Sequence, residues 1–268
     1  MAIFELDHIR FRYRETGLGL PFVFQHGLGG SLEQPFSLFT PPDGIRMIAM
    51  DSRGHGQTTP LGPVDGIRLA QFADDVCRLL DHLQVAQAVM GGISMGAAVA
   101  LNLTLRFPDR VRGLVLSRPA WLAQANPRNT VWFGEIARLI HEHGAQQGKQ
   151  RFRDSAMYHE VLAQSTDVAQ SMLNQFDSPR AEETVIILER LRGDAPCQSL
   201  DELAQISVPT LVLANQQDPV HPFDYGRILA HSIPGAQFAE LTPKSQSLAR
   251  HQADLQQHLE RFLQTRIS

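Results

Sequence analysis

The chain has 268 residues, 43% of them hydrophobic, with 24 basic and 28 acidic side chains and a formal charge of -4. That length and apolar share suffice for one sizeable core, most simply a single domain carrying an insertion. The weakly acidic balance supplies no basic field for nucleic acid or an anionic membrane surface, so neither is an expected partner.

In chain order, "FELDHIRFRYRET" alternates apolar and polar residues and predicts an antiparallel hairpin turning near Asp7 and His8. The same alternation replaces the basic segment and long apolar run of a targeting signal, and no stretch approaches a membrane span; a soluble, cytoplasmic protein is expected. Six short apolar runs follow: "PFVFQ" (21–25), "RMIAM" (46–50), "QAVMGG" (87–92), "GLVLS" (113–117), "PTLVLA" (209–214) and "AQFAEL" (236–241). Runs of this kind suit buried parallel strands. Helical patterns separate most of them; over 69–83, Leu69, Phe72, Val76, Leu80 and Leu83 recur at helical spacing and form a stripe for packing on a sheet. The alternation predicts an α/β fold with a mostly parallel, doubly wound sheet.

One interval interrupts it. Between about Ala120 and Ser207 the segments "VWFGEIARLIHEHG", "RFRDSAMYHEVLAQ", "DVAQSMLNQFD" and "TVIILERLRG" all carry helical periodicity, and Ser199 with Glu202 forms a capping-box signature. The expected organisation is a core of residues 1–119 and 208–268 with a helical cap inserted at 120–207. Both tryptophans, Trp121 and Trp132, fall in the cap with Phe133, and these three are candidates for a substrate pocket, although most cap aromatics serve as cap core. Cys77 and Cys197 are far apart and lack metal-ligand spacing, so no disulfide framework and no metal site are expected.

The chemistry begins at "MGGISMGAAVALNLTLRFP". Gly92, Ser94 and Gly96 fit G-x-S-x-G between an apolar strand and a helix that stops near Pro108, the context in which such a serine becomes an exposed nucleophile. The helix that starts under Ser94 brings its amides and dipole to an oxyanion, with the Met95 amide as first donor.

With "HGLGG" and "DSRGHGQT" upstream of "GISMG", in the same order and spacing, the chain resembles the α/β-hydrolase superfamily, specifically its serine esterase and enol-lactonase branch with a helical cap. The resemblance implies that the Leu28 amide is the second oxyanion donor and that His26 and Gly27 shape the turn bordering the pocket, His26 structurally. Asp51, Arg53, Gly54 and Gly56 are assigned to scaffold geometry. Asp218, after the run "PTLVLA", takes the position of the acid that orients the catalytic histidine; at the superfamily's other acid site the chain has Arg118 and Pro119. His221 stands too close to Asp218 in sequence for the usual base and reads as a turn or rim residue.

The base is where the pattern departs. Aligning "AQFAEL" and the terminal "LERFL" puts the superfamily's histidine slot at Gln246, and glutamine has no proton affinity near neutral pH. Three readings stay open: an engineered His-to-Gln change, a natural binding protein, or a base supplied by His251 from the inward stripe of the last helix, where the catalytic expectation is placed. With a base, Ser94, Asp218 and His251 would hydrolyse a small to medium carboxylic ester, lactone or thioester through an acyl-enzyme, without metal or cofactor. Acyl transfer or carbon–carbon hydrolysis on the same triad also stays open, as does a homodimer.

Overall fold

The computed structural model describes residues 2–267. Strands β1 (Ala2–Leu6) and β2 (Ile9–Thr16) form the hairpin, with Leu6 opposite Ile9. Asp7 and His8 at its tip both have positive φ, 51° and 65°, as a two-residue turn matched to strand twist requires. The remaining strands are β3 (Leu20–Gln25), β4 (Ile45–Met50), β5 (Ala88–Ile93), β6 (Val111–Ser117), β7 (Thr210–Ala214) and β8 (Gln237–Glu240). They build one eight-stranded sheet in the order β1-β2-β4-β3-β5-β6-β7-β8, parallel from β4 to β8. Each of the six apolar runs read from the sequence is one of these strands.

The sheet is buried on both faces, which is why its central strands are continuously apolar. Val23, Ile48, Met90, Leu114, Leu116 and Val212 face one side, where helices α2 (Leu69–His82) and α3 (Met95–Arg106) pack. Their neighbours Phe22, Phe24, Val89, Val115, Leu211 and Leu213 face the other, with Leu255, Leu259 and Phe262 of the last helix. Helices α1 (Glu33–Leu38), α8 (Phe223–Ser232) and α9 (Leu248–Thr265) complete the frame around the strands.

Between β6 and β7 run four helices, α4 (Val131–Arg153), α5 (Ala156–Gln164), α6 (Thr166–Phe176) and α7 (Ala181–Arg192). They share a core of their own that includes Phe133, Ile136, Phe152, Met172 and Phe176. Gly144, at φ 72° and ψ 165°, breaks α4 where the first helical pattern ends in the sequence. Ser199 and Glu202 close the capping box expected of them, on a short 3-10 turn instead of a full helix. Among the described residues no helix is long and apolar enough to cross a membrane.

Candidate active site

Ser94 lies between the end of β5 and the start of α3 with φ 56° and ψ -111°, a left-handed backbone that costs a non-glycine residue energy unless its surroundings enforce it. They do so by close approach. A Cβ at Gly92 would run into the backbone of Gly96, and one at Gly96 into the carbonyl of Gln25 on β3. The Ser94 amide donates to Ser117 O at 3.0 Å, tying the turn to β6. Met95 is the first residue of α3, so its amide has no acceptor within the helix.

The turn after β3 comes against this serine. Gly27 N donates to Gln34 Oε1 at 2.7 Å, while His26 is fully enclosed, Nδ1 donating to Gly27 O at 2.8 Å and Nε2 accepting from Ser52 N at 3.0 Å. Both ring nitrogens are thus committed to backbone. Burial pushes its pKa down to about 4 against that backbone bond. Asp51 accepts from the amides of Leu32 at 2.6 Å and Gln57 at 2.9 Å, and Arg53 forks onto Asp75 at 2.6 and 2.8 Å. This loop is a brace for the turn carrying Leu28.

A charged cluster faces the serine from the ends of β6 and β7. Asp218 Oδ2 accepts from Arg118 Nη2 at 2.5 Å and Nε at 3.2 Å, and its Oδ1 accepts from the amides of Val220 and His221 at 3.2 and 3.1 Å. Burial alone would raise this carboxyl, but the charges of His221 and Arg118 and their hydrogen bonds outweigh it and hold the group well below the usual carboxylate range. His221 Nδ1 stands 3.0 and 2.9 Å from the two carboxylate oxygens. Two anionic oxygens outweigh the single Arg118 N–H that also lies 3.1 Å from Nδ1, so the proton is assigned to Nδ1 and the lone pair to Nε2. Nε2 is buried and has no hydrogen-bond partner. Burial first, then Arg118, 3.1 Å from Nδ1, keep the ring's pKa below its ordinary value although Asp218 opposes them.

A cavity of about 260 Å³ joins these groups. Its wall includes Ser94, Leu28, Arg118, His221 and Lys244 from the sheet side and Met172 of α6 from above. A second cavity of about 400 Å³ shares Leu28, Gln34 and Gln175 with it. Among the described residues no group of three or more His, Cys, Asp or Glu side chains could hold a metal ion.

The structure brings some of the candidate residues to the cavity and leaves others away from it. Gln246 is exposed and outside the cavity; Pro243 starts a turn, its carbonyl accepting from Gln246 N at 3.0 Å, and the residue this loop turns toward Ser94 is Lys244. His251 does not line the cavity either. Ser247 caps α9 through Arg250 N, so His251 lies in the first turn, 1% exposed, with Nδ1 2.8 Å from Thr242 O. Burial and then Arg118 lower its pKa to about 4. Conversely, His221 is no rim residue: it is bonded to Asp218 and lines the cavity. Of the aromatic candidates, Phe133 reaches the cavity, whereas Trp121 is 2% exposed in the core under the sheet and Trp132 packs inside the helical layer. Gly27 lines the cavity; His26 does not. Arg118 and Lys244 were not singled out by sequence, although Arg118 stands at the superfamily's alternative acid position.

The family model for the alpha/beta hydrolase fold matches residues 21–245. The chain belongs to the α/β-hydrolase family. Within it, 3-oxoadipate enol-lactonase 2 of Acinetobacter baylyi is 31% identical over 215 residues, covering 79% of this chain and 76% of that protein. An AB hydrolase superfamily protein of Bacillus subtilis is 28% identical over 247 residues, 90% of this chain and 89% of that one. Among solved structures, the enol-lactonase of Burkholderia xenovorans superposes with a TM-score of 0.74 at 24% identity, covering 98% of this α/β-hydrolase and 100% of that chain. A thermophilic esterase of Thermogutta terrifontis gives 0.72 at 24%, with 97% and 95% covered, and these two likenesses establish the fold.

Proposed function

We propose that this α/β-hydrolase is a serine hydrolase of small to medium carboxylic esters or lactones, working through an acyl-enzyme on Ser94. The observation that carries the reading is Ser94 itself, held in a strained left-handed turn at the wall of a cavity and at the N-terminus of α3. In this reading Ser94 Oγ attacks the acyl carbon, and the developing oxyanion takes hydrogen bonds from the Leu28 and Met95 amides. These donors are fixed before the reaction and need no reorganisation as charge develops. Asp218 stabilises the imidazolium formed when the nucleophile's proton is taken up. Residues 120–207 act as the cap that selects the acyl group, with Phe133 and Met172 as its apolar contacts. The kinship with an enol-lactonase supports cyclic as well as open esters. The two adjoining cavities, about 260 and 400 Å³, suit a substrate of small to medium size.

A second reading, a ligand-binding protein on the same frame, draws on Lys244, which lines the cavity from the loop after β8. Turnover separates the two. The chain should hydrolyse p-nitrophenyl acetate or butyrate and a simple enol-lactone well above Ser94→Ala, and a fluorophosphonate probe should label Ser94. Equal rates for wild type and Ser94→Ala, with no labelling, overturn the hydrolase reading in favour of binding.

A further inference from the structure

We propose that His221, from the same loop as its carboxylate partner, is the general base of Ser94, in place of any residue from the loop after β8. The assignment rests on the serine-hydrolase reading above. A general base needs a lone pair toward the nucleophile, a partner that fixes the tautomer and stabilises the cation, and shelter from water. His221 has the partner and the shelter, and its unbonded Nε2 belongs to a ring that lines the same cavity as Ser94. Its Nδ1 faces both oxygens of Asp218 at 2.9 and 3.0 Å, its Nε2 is buried without a partner, and the ring shares a cavity wall with Ser94. A buried ring nitrogen left without a hydrogen bond is a cost that a purely structural histidine avoids, as His26 does by bonding at both nitrogens.

The other candidates fail on position or charge. Gln246 and His251 do not reach the cavity. Lys244 does reach it, but burial and then the nearby Arg118 charge bring its amine down only to about 8, so at neutral pH most of it is protonated and cannot accept. Lys244 is also not bonded to Asp218, whose oxygens are occupied by Arg118, His221 and two amides.

The steps balance as follows. His221 Nε2 takes the Ser94 Oγ proton as the bond from Oγ to the acyl carbon forms, and Asp218 balances the imidazolium. The proton passes to the leaving alkoxide as the ester C–O bond breaks. Water then gives its proton to Nε2 while its oxygen attacks the acyl carbon, and Ser94 recovers that proton as the acid leaves. The proposal requires a hydrogen bond from Ser94 Oγ to Nε2 in the substrate complex, where catalytic contacts of this kind commonly tighten.

Two variants test this beside wild type and Ser94→Ala, with thermal midpoints recorded for each. His221→Asn sets an amide where Nδ1 stands, preserving the bond to Asp218, and removes Nε2. It should lower kcat for p-nitrophenyl acetate by about 10²- to 10⁴-fold with little change in KM. His221→Ala should fall as far and regain rate with added imidazole, corrected by a Ser94→Ala/His221→Ala double variant. A merely structural histidine would give no such rescue. The acid limb of kcat/KM should lie below pH 6.5, because the groups facing His221 are Asp218 on its own loop, Arg118 at the end of β6, Lys244 after β8 and Asp167 on α6 across the cavity, and burial and the cations prevail. If wild type is active and a folded His221→Asn retains activity within tenfold, the assignment is overturned, and loss in Lys244→Met would move the role to Lys244. If wild type itself equals Ser94→Ala, the hydrolase reading fails, and the base assignment falls with it.

Discussion

Replacing Arg118 by methionine removes the guanidinium from Asp218 while keeping a long side chain at a position whose backbone, at φ 49°, is equally uncomfortable for either residue. The pair is buried, Arg118 8% and Asp218 3% exposed at the side chain. Stripping one partner from a buried ion pair costs about 3–5 kcal/mol because the other charge is left in low dielectric. Asp218 would keep two backbone amides and His221 Nδ1, so the lower end applies, and about 3 kcal/mol corresponds to a thermal midpoint lowered by about 6–12 °C. The pH dependence gives the sharper test. In wild type the carboxyl is held below its ordinary value, so its contribution is complete above about pH 4 and is lost only as pH falls toward the folded value. Without Arg118, burial is less opposed and the carboxyl titrates higher. The stability gap between the proteins should therefore be widest at pH 7 and narrow toward pH 4. In the same variant the cation that suppresses His221 is gone, so the acid limb of kcat/KM should move to higher pH. Thermal unfolding by circular dichroism over this range reads the first effect and steady-state kinetics the second. A gap below about 1 kcal/mol, or one constant with pH, would refute the account of the cluster.

Other expectations follow from the same geometry. Gln246→His, at an exposed position outside the cavity, should leave hydrolysis within about twofold of wild type, and a large gain would show that the loop after β8 reorients. Gly96→Ala should lose activity and about 1–3 kcal/mol of stability, read by urea unfolding, since its methyl would press on the Gln25 carbonyl that the elbow packs against. His26, His55 and His251 are buried with pKa values lowered to about 4, 3 and 4, so between pH 6.5 and 4 the unfolded chain binds more protons and stability should fall with acidity. Three such groups give a slope of up to about 4 kcal/mol per pH unit, and His55→Asn should lower it by about a third in urea midpoints across that range.

The strands and the tight turn that carries Ser94 were legible because their signals are local. Six apolar runs have one structural meaning when helical patterns separate them, and G-x-S-x-G needs only the contact of Gly92 with Gly96 and of Gly96 with β3 to explain itself. The pocket was less legible. Tryptophans in an inserted helical region are good candidates by size, yet Trp121 enters the core just after β6 and only Phe133 faces the cavity, a choice set by the rotation of α4 that periodicity alone does not fix.

The loop geometry around the candidate base was not legible for a different reason. Counting from the last helix assumes a fixed loop length after β8, and the turn at Pro243 puts Lys244, not Gln246, toward Ser94. What stood in plain view was "DPVH": a histidine three residues after the acid looks too near to reach it only if the chain runs straight. Asp218 draws the amides of Val220 and His221 onto Oδ1, the loop coils around the carboxylate, and the His221 ring is delivered to the same carboxylate that its own backbone binds. A carboxylate and histidine can therefore be paired within one turn, leaving the loop after β8 free to carry a lysine. If His221 is the base, exchanging Lys244 should alter which acyl groups the cavity accepts more than how fast a bound one reacts.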